Sequence, residues 1–168
     1  MKYNFKTKPF KHQAEALEKA CNERYYAFFM EMGTGKTKVA LDNLGMLYQQ
    51  KKVSAALIIA PKGGYDNWVK VEIPKHLSDD VPVKVVRWQP RLSITYKREL
   101  ESFVKERYDG LKIFVMNIEA LSTTKGAKIA GVFLIQNEDN MIIIDESTTI
   151  KNRGASRTKN LMTLKGYS

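Results

Sequence analysis

The sequence predicts a doubly wound α/β domain, a mostly parallel sheet with helices on both faces. Three observations carry this. Short apolar runs alternate along the chain with longer amphipathic ones. The runs are nearly continuous rather than alternating, as in strands buried on both faces. A glycine-rich turn, Gly33-Thr34-Gly35, then stands between one such run and a helical segment that opens on Lys36-Thr37, a context suited to phosphate binding.

In chain order, EKACNERY around Cys21 suggests a helix face, and YYAFFM (25–30) reads as a buried strand. Residues 37–50 read as a helix, AALIIA (55–60) as a second strand and 65–76 as a helix. VKVVRW (83–88) reads as a third strand, and 92–107 as a helix with Leu100, Phe103 and Val104 at helical spacing. KIFVMN (112–117) is a fourth strand, 125–136 a helix, MIIIDE (141–146) a fifth strand and 155–164 a last helix. Asp79 and Asp80 predict a turn before Pro82. Sheets of this class bind ligands at the carboxyl ends of their strands. The informative loops are therefore those after Met30, Ala60, Asn117 and Asp145.

With 168 residues, 43% hydrophobic and 27% charged, the chain fits one domain with a sizeable core. One cysteine, Cys21, excludes an intramolecular disulfide and reads as a packed or idle thiol. His12 and His76 stand far apart among lysines, read as surface or cap residues, and suggest no metal cluster. No run approaches the length needed to span a bilayer, and MKYNFKTKPF lacks the apolar segment of a signal peptide. A soluble, cytoplasmic protein without a membrane partner is expected, nuclear if the source is eukaryotic. The net charge of +10 makes a polyanionic partner plausible, nucleic acid above all.

The glycine loop carries the chemistry. Glycines let the backbone turn tightly and aim N–H groups at phosphate oxygens, and a helix amino terminus adds free donors and partial positive charge. Met32, Gly33, Thr34, Gly35, Lys36 and Thr37 form the candidate cradle. Lys36 would reach the β- and γ-phosphates, and Thr37 would offer its hydroxyl to Mg²⁺. The strict pattern wants a further glycine where Met30 stands. MIIIDE supplies the acidic partner at a strand end: Asp145 to organise the metal, Glu146 to orient or deprotonate the attacking water. ATP and Mg²⁺ are the expected cofactors, and hydrolysis the expected reaction.

With these loops placed, the chain resembles the first RecA-like lobe of a superfamily-two helicase, of the Swi/Snf-type DNA translocases. MEMGTGKT resembles motif I. PFKHQAEAL, with Gln13, resembles the upstream segment whose glutamine reads the adenine edge. LIIAPKGGYDNWVKVEIPK resembles motif Ia, including its tryptophan, Trp68. IFVMNIEALS resembles the motif Ib region, and DESTTIKNRGASRTKNLMTL resembles motif II, usually DEAHxxKN. Ser147 and Thr148 replace the usual Ala-His pair, whose histidine links hydrolysis to the motor; a threonine side chain can hydrogen-bond but cannot carry charge.

The resemblance implies that residues 1–168 form a single RecA-like ATP-binding lobe. The second lobe, with its arginine fingers, lies outside the chain, so alone it is expected to hydrolyse ATP poorly. It also implies sequence-independent contacts to duplex or branched DNA, through Lys62 and Gly63 after the second strand and Asn117 and Ser122 near the fourth. The tract with Lys151, Arg153, Arg157, Lys159 and Lys165 reads either as an extension of that basic surface or as a solvated helix face. Trp68 and Trp88 read as packing residues. Two other classes fit parts of the pattern: a non-catalytic ATP-sensing module that binds nucleic acid, and a small P-loop kinase. A GTPase would need an Asn-Lys-x-Asp guanine reader, which the sequence lacks.

Overall fold

A computed structural model describes residues 3–91, 93–145 and 155–167. Four strands form one parallel sheet: β1 (Ala55–Ala60), β2 (Val83–Arg87), β3 (Leu111–Asn117) and β4 (Asn140–Ile144), in the order β2-β3-β1-β4. Ala55 of β1 stands opposite Lys112 on β3 and Asn140 on β4. β1 and β3 are buried throughout, which is why they read as unbroken apolar runs.

The side-chain period of two divides the core. Ala55, Leu57 and Ile59 point to one face, with Phe114 and Met116. There they meet α5 (Ile94–Lys105), α6 (Thr124–Gln136) and α7 (Ser156–Leu164) through Leu100, Phe103, Phe133 and Leu161. Phe103, Phe114 and Phe133 pack as a trio, with Phe103 and Phe133 stacked at 5.6 Å. Ala56, Ile58 and Ala60 point to the other face with Ile113, Val115 and Ile143, against Leu41 and Leu44 of α2 (Lys36–Gln49). α1 (Lys11–Ala20) precedes α2 and packs beside it.

The predicted helix at 65–76 is built in three parts. These are α3 (Tyr65–Asn67), a π-helical turn (Trp68–Glu72) and α4 (Ile73–His76). Pro74 supplies no N–H for the helical ladder, and the widened turn has the Ile73 N–H donating to the Trp68 carbonyl. The turn at Asp79 and Asp80 forms as expected. Among the described residues, no helix is long and apolar enough to cross a membrane.

One expected element is absent. YYAFFM does not join the sheet: residues 25–30 run as irregular chain, with Phe29 96% and Tyr25 57% exposed. Its side chains make contacts outside the sheet's ladder instead, and Phe28 packs against the core face that holds Leu41 and Leu44. The Lys165 ammonium sits 4.2 Å from the Tyr25 ring centre, and Tyr26 packs edge-on to Phe28. A cleft of about 640 Å³ lies between residues 21–28 and the outer edge of β4. Apolar composition identified a run that suits a strand, but a strand also needs a neighbour within hydrogen-bond reach.

Candidate functional site

The glycine loop leads directly into α2. Gly33 and Gly35 hold φ of +77° and +86°, the left-handed region that side chains disfavour. Gly35 is the residue before the helix, whose first amides have no partner within it. A Cβ on Gly35 would lie 2.5 Å from Gln13 Nε2, whereas a Cβ on Gly33 would meet open space.

Side chains hold the loop in shape. Lys36 Nζ donates to the carbonyls of Met30 at 2.7 Å and Glu31 at 3.0 Å. The Thr34 hydroxyl donates to the Glu31 carbonyl at 2.7 Å. Gln13, only 3% exposed, donates from Nε2 to the Thr34 carbonyl at 2.9 Å and accepts the Phe10 N–H at Oε1 at 3.0 Å. His12 also reaches the Thr34 carbonyl, at 3.2 Å. Met32 is fully exposed on the rim, and Thr37 is half-buried in the first turn of α2. Further along α2, a buried Lys38–Asp42 ion pair lies beneath Phe5. Burial pushes the Asp42 carboxyl up, and the Lys38 contact opposes this.

Asp145 follows the last residue of β4, as expected. Its N–H donates to the Ile59 carbonyl at 2.8 Å, continuing the ladder onto β1. Its carboxylate is held as well: the Trp68 indole N–H donates to Oδ2 at 2.9 Å. Trp68 is 3% exposed and belongs to the same core face as Leu41, Leu44 and Ile143. Trp68 thus packs as its sequence context predicts and adds a polar contact that packing alone does not. A buried tryptophan needs a partner for its N–H, and that need was the available signal.

The other predicted residues divide. Lys62, Gly63 and Ser122 are exposed at the carboxyl ends of β1 and β3. Asn117 is buried and accepts the Ala120 N–H at 2.9 Å, capping the 3₁₀ turn Ile118–Ser122. Glu146, Ser147, Thr148, Lys151 and Arg153 lie outside the described residues. Arg157 is half-buried, and Lys159 and Lys165 are exposed. His76 is no surface residue: its side chain is 12% exposed, between the Thr7 hydroxyl at 3.1 Å and Glu72 at 3.5 Å. The Cys21 thiol donates to the Glu18 carbonyl at 3.3 Å. Trp88 is buried immediately after β2.

The profile of the SNF2-related domain matches residues 17–168. The chain belongs to this family. It is 26% identical over 142 residues to the human SWI/SNF-related matrix-associated actin-dependent regulator of chromatin subfamily A containing DEAD/H box 1. That match takes in 80% of this chain and 12% of the human protein. The Xenopus tropicalis counterpart is 28% identical over 143 residues, covering 82% of this chain and 13% of its own length. The ATP-dependent helicase fft3 of Schizosaccharomyces pombe is 22% identical over 141 residues, 80% of this chain and 14% of fft3. This SNF2-related chain thus spans about an eighth of its curated relatives. Among solved structures, it is similar to the Sulfolobus solfataricus SWI2/SNF2 ATPase core in complex with dsDNA. The TM-score is 0.55 at 14% identity, over 96% of this chain and 36% of that one. The likeness establishes the RecA-like α/β fold of the SNF2-related lobe.

Proposed function

We propose that this SNF2-related domain is the nucleotide-binding lobe of an ATP-dependent DNA translocase or helicase, and that it couples ATP hydrolysis to movement on DNA. The observation that carries the reading is the Lys36 ammonium. It lies against two loop carbonyls at the start of α2, in a loop shaped by two left-handed glycines. An arriving triphosphate would offer that cation stronger, charged acceptors than the carbonyls of Met30 and Glu31.

The donor set suits Mg²⁺. A carboxylate, Asp145, and a hydroxyl, Thr37, are hard oxygen ligands, and a triphosphate supplies the remaining oxygens. The ion would neutralise developing phosphate charge; Glu146 would orient water. Gln13 keeps a second N–H and a second lone pair for an adenine edge while it braces the loop. Lys62, Gly63, Asn117, Ser122, Lys151 and Arg153 are the proposed backbone-gripping residues on DNA. Of these, Asn117 already serves as a cap, so its contribution would come through the turn it orders. Partner arginines from a second lobe would complete the site, a contribution of about 10³–10⁵ in rate for such fingers.

Lys36→Ala should abolish ATP binding in a calorimetric titration of the chain; retained affinity would reject the phosphate-loop assignment. In the longer protein, Glu146→Gln should permit ATP binding yet stop DNA-stimulated phosphate release. Ser147 and Thr148, at the position of the usual Ala-His pair, favour a second reading, a nucleotide-sensing module without turnover. DNA-stimulated phosphate release by the longer protein separates the two.

A further inference from the structure

We infer that Trp68 is a positioning residue for Asp145, aiming the carboxylate at the metal shell of the proposed nucleotide site. The inference rests on the reading of that site as a triphosphate and Mg²⁺ pocket.

Asp145 is the first residue after β4, and its N–H makes the last bond to β1 while its side chain lies beyond the strand. A carboxylate there turns freely about two side-chain bonds unless something holds it. The Trp68 indole N–H does so, donating to Oδ2 at 2.9 Å. Occupying one oxygen orients the other. The indole is 3% exposed and packed with Leu41, Leu44, Ile73 and Ile143. Its ring cannot swing away without opening that core face, so the N–H is a fixed donor rather than a mobile one.

The widened turn at Trp68–Glu72 supports the assignment. Single π-turns inside helices are often retained at functional sites, because they re-aim one side chain. Here the turn begins at Trp68 itself. Both restraints on Asp145, the Ile59 carbonyl on its N–H and the Trp68 indole on its carboxylate, come from β1 and the helix that follows it. A carboxylate held at backbone and side chain is preorganised in the way metal-ligand geometry requires.

The test is Trp68→Phe, which keeps an aromatic ring in the core and removes the N–H donor together with part of the indole's volume. Affinity for a fluorescent ATP analogue is measured with Mg²⁺ and with chelator, for the native chain, Trp68→Phe, Asp145→Asn and the double variant. The expected result is an unchanged affinity in chelator and a loss of roughly ten-fold in the gain that Mg²⁺ confers, the size expected for one hydrogen bond to a charged group. In the Asp145→Asn background, Trp68→Phe should cost nothing further. A full Mg²⁺ gain in Trp68→Phe would overturn the inference while leaving the nucleotide site standing. Equal losses with and without Mg²⁺, or additive losses in the double variant, would also overturn it, since they mark a structural role. If the native chain binds the analogue without any Mg²⁺ gain, or not at all, the site reading fails first and takes this inference with it. Should Trp68→Phe not fold, the indole N–H resonance of Trp68 in the native chain decides: a shift on adding Mg²⁺ with ADP supports the role, and no shift rejects it.

Discussion

Gly35→Ala tests the loop architecture in a way that composition alone would not suggest. At φ +86°, an alanine carries a backbone penalty of about 1–2 kcal/mol. Its Cβ would also stand 2.5 Å from Gln13 Nε2, so Gln13 must move. That amide is committed to two hydrogen bonds, from the Phe10 N–H and to the Thr34 carbonyl, each worth about 1 kcal/mol. With one or both of these bonds lost, the total is roughly 2–4 kcal/mol, a fall in Tm of about 4–16 °C for a domain of this size. Gly33→Ala is the internal control. Its φ is similarly positive, at +77°, but its Cβ meets nothing within 4 Å, so only the backbone part of about 1–2 kcal/mol applies. Pairing Gly35→Ala with Gln13→Ala should relieve the collision, giving a coupling of about 1–2 kcal/mol in a double-mutant cycle. Urea denaturation of the four Gly35/Gln13 combinations and of Gly33→Ala supplies the numbers. Equal losses at Gly33 and Gly35, or additive Gly35 and Gln13 effects, would refute the claim that Gln13 braces the loop.

Two further predictions follow from the packing and electrostatics. Phe133→Ala, which empties the centre of the aromatic trio, should destabilise the domain by about 3–5 kcal/mol. Ile135→Ala, on the same helix but 52% exposed, should stay within about 0.5 kcal/mol; thermal melts of both variants check the contrast. Burial lowers the His76 pKa from its ordinary value of 6.5, so below that pH the unfolded chain binds the proton before the folded one does. Stability contributed by neutral His76 is then whole above about pH 6.5 and falls as pH drops towards the folded value. His76→Gln should flatten that part of the Tm profile between pH 7.5 and pH 5, and an unaltered slope would contradict the burial argument.

Much of the fold was legible in order. Runs such as AALIIA and KIFVMN are apolar at every position or nearly so, and only strands covered on both sides require that; both lie within a residue of their predicted limits. The helix after the glycine loop was marked by Lys36-Thr37 and the apolar spacing behind it. YYAFFM misled because its composition equals that of a buried strand, while strand formation depends on an edge supplied by residues more than a hundred positions away. The partial burial of His76 and the identity of the partner of the Trp68 N–H were not legible, since Thr7 and Asp145 reach them only through the fold.

What the residues decided alone was local: glycines where φ must be positive, a lysine at a helix start, a carboxylate closing an apolar run. Those choices depend on neighbours within one or two turns of chain, and neighbours in sequence can be read directly. The tertiary structure decided which of these groups are restrained and by what. Gln13 against Gly35, and Trp68 against Asp145, are contacts between segments far apart in the chain. Each forms because burying apolar surface on both faces of the sheet draws those segments together, and the polar atoms carried along must then find partners.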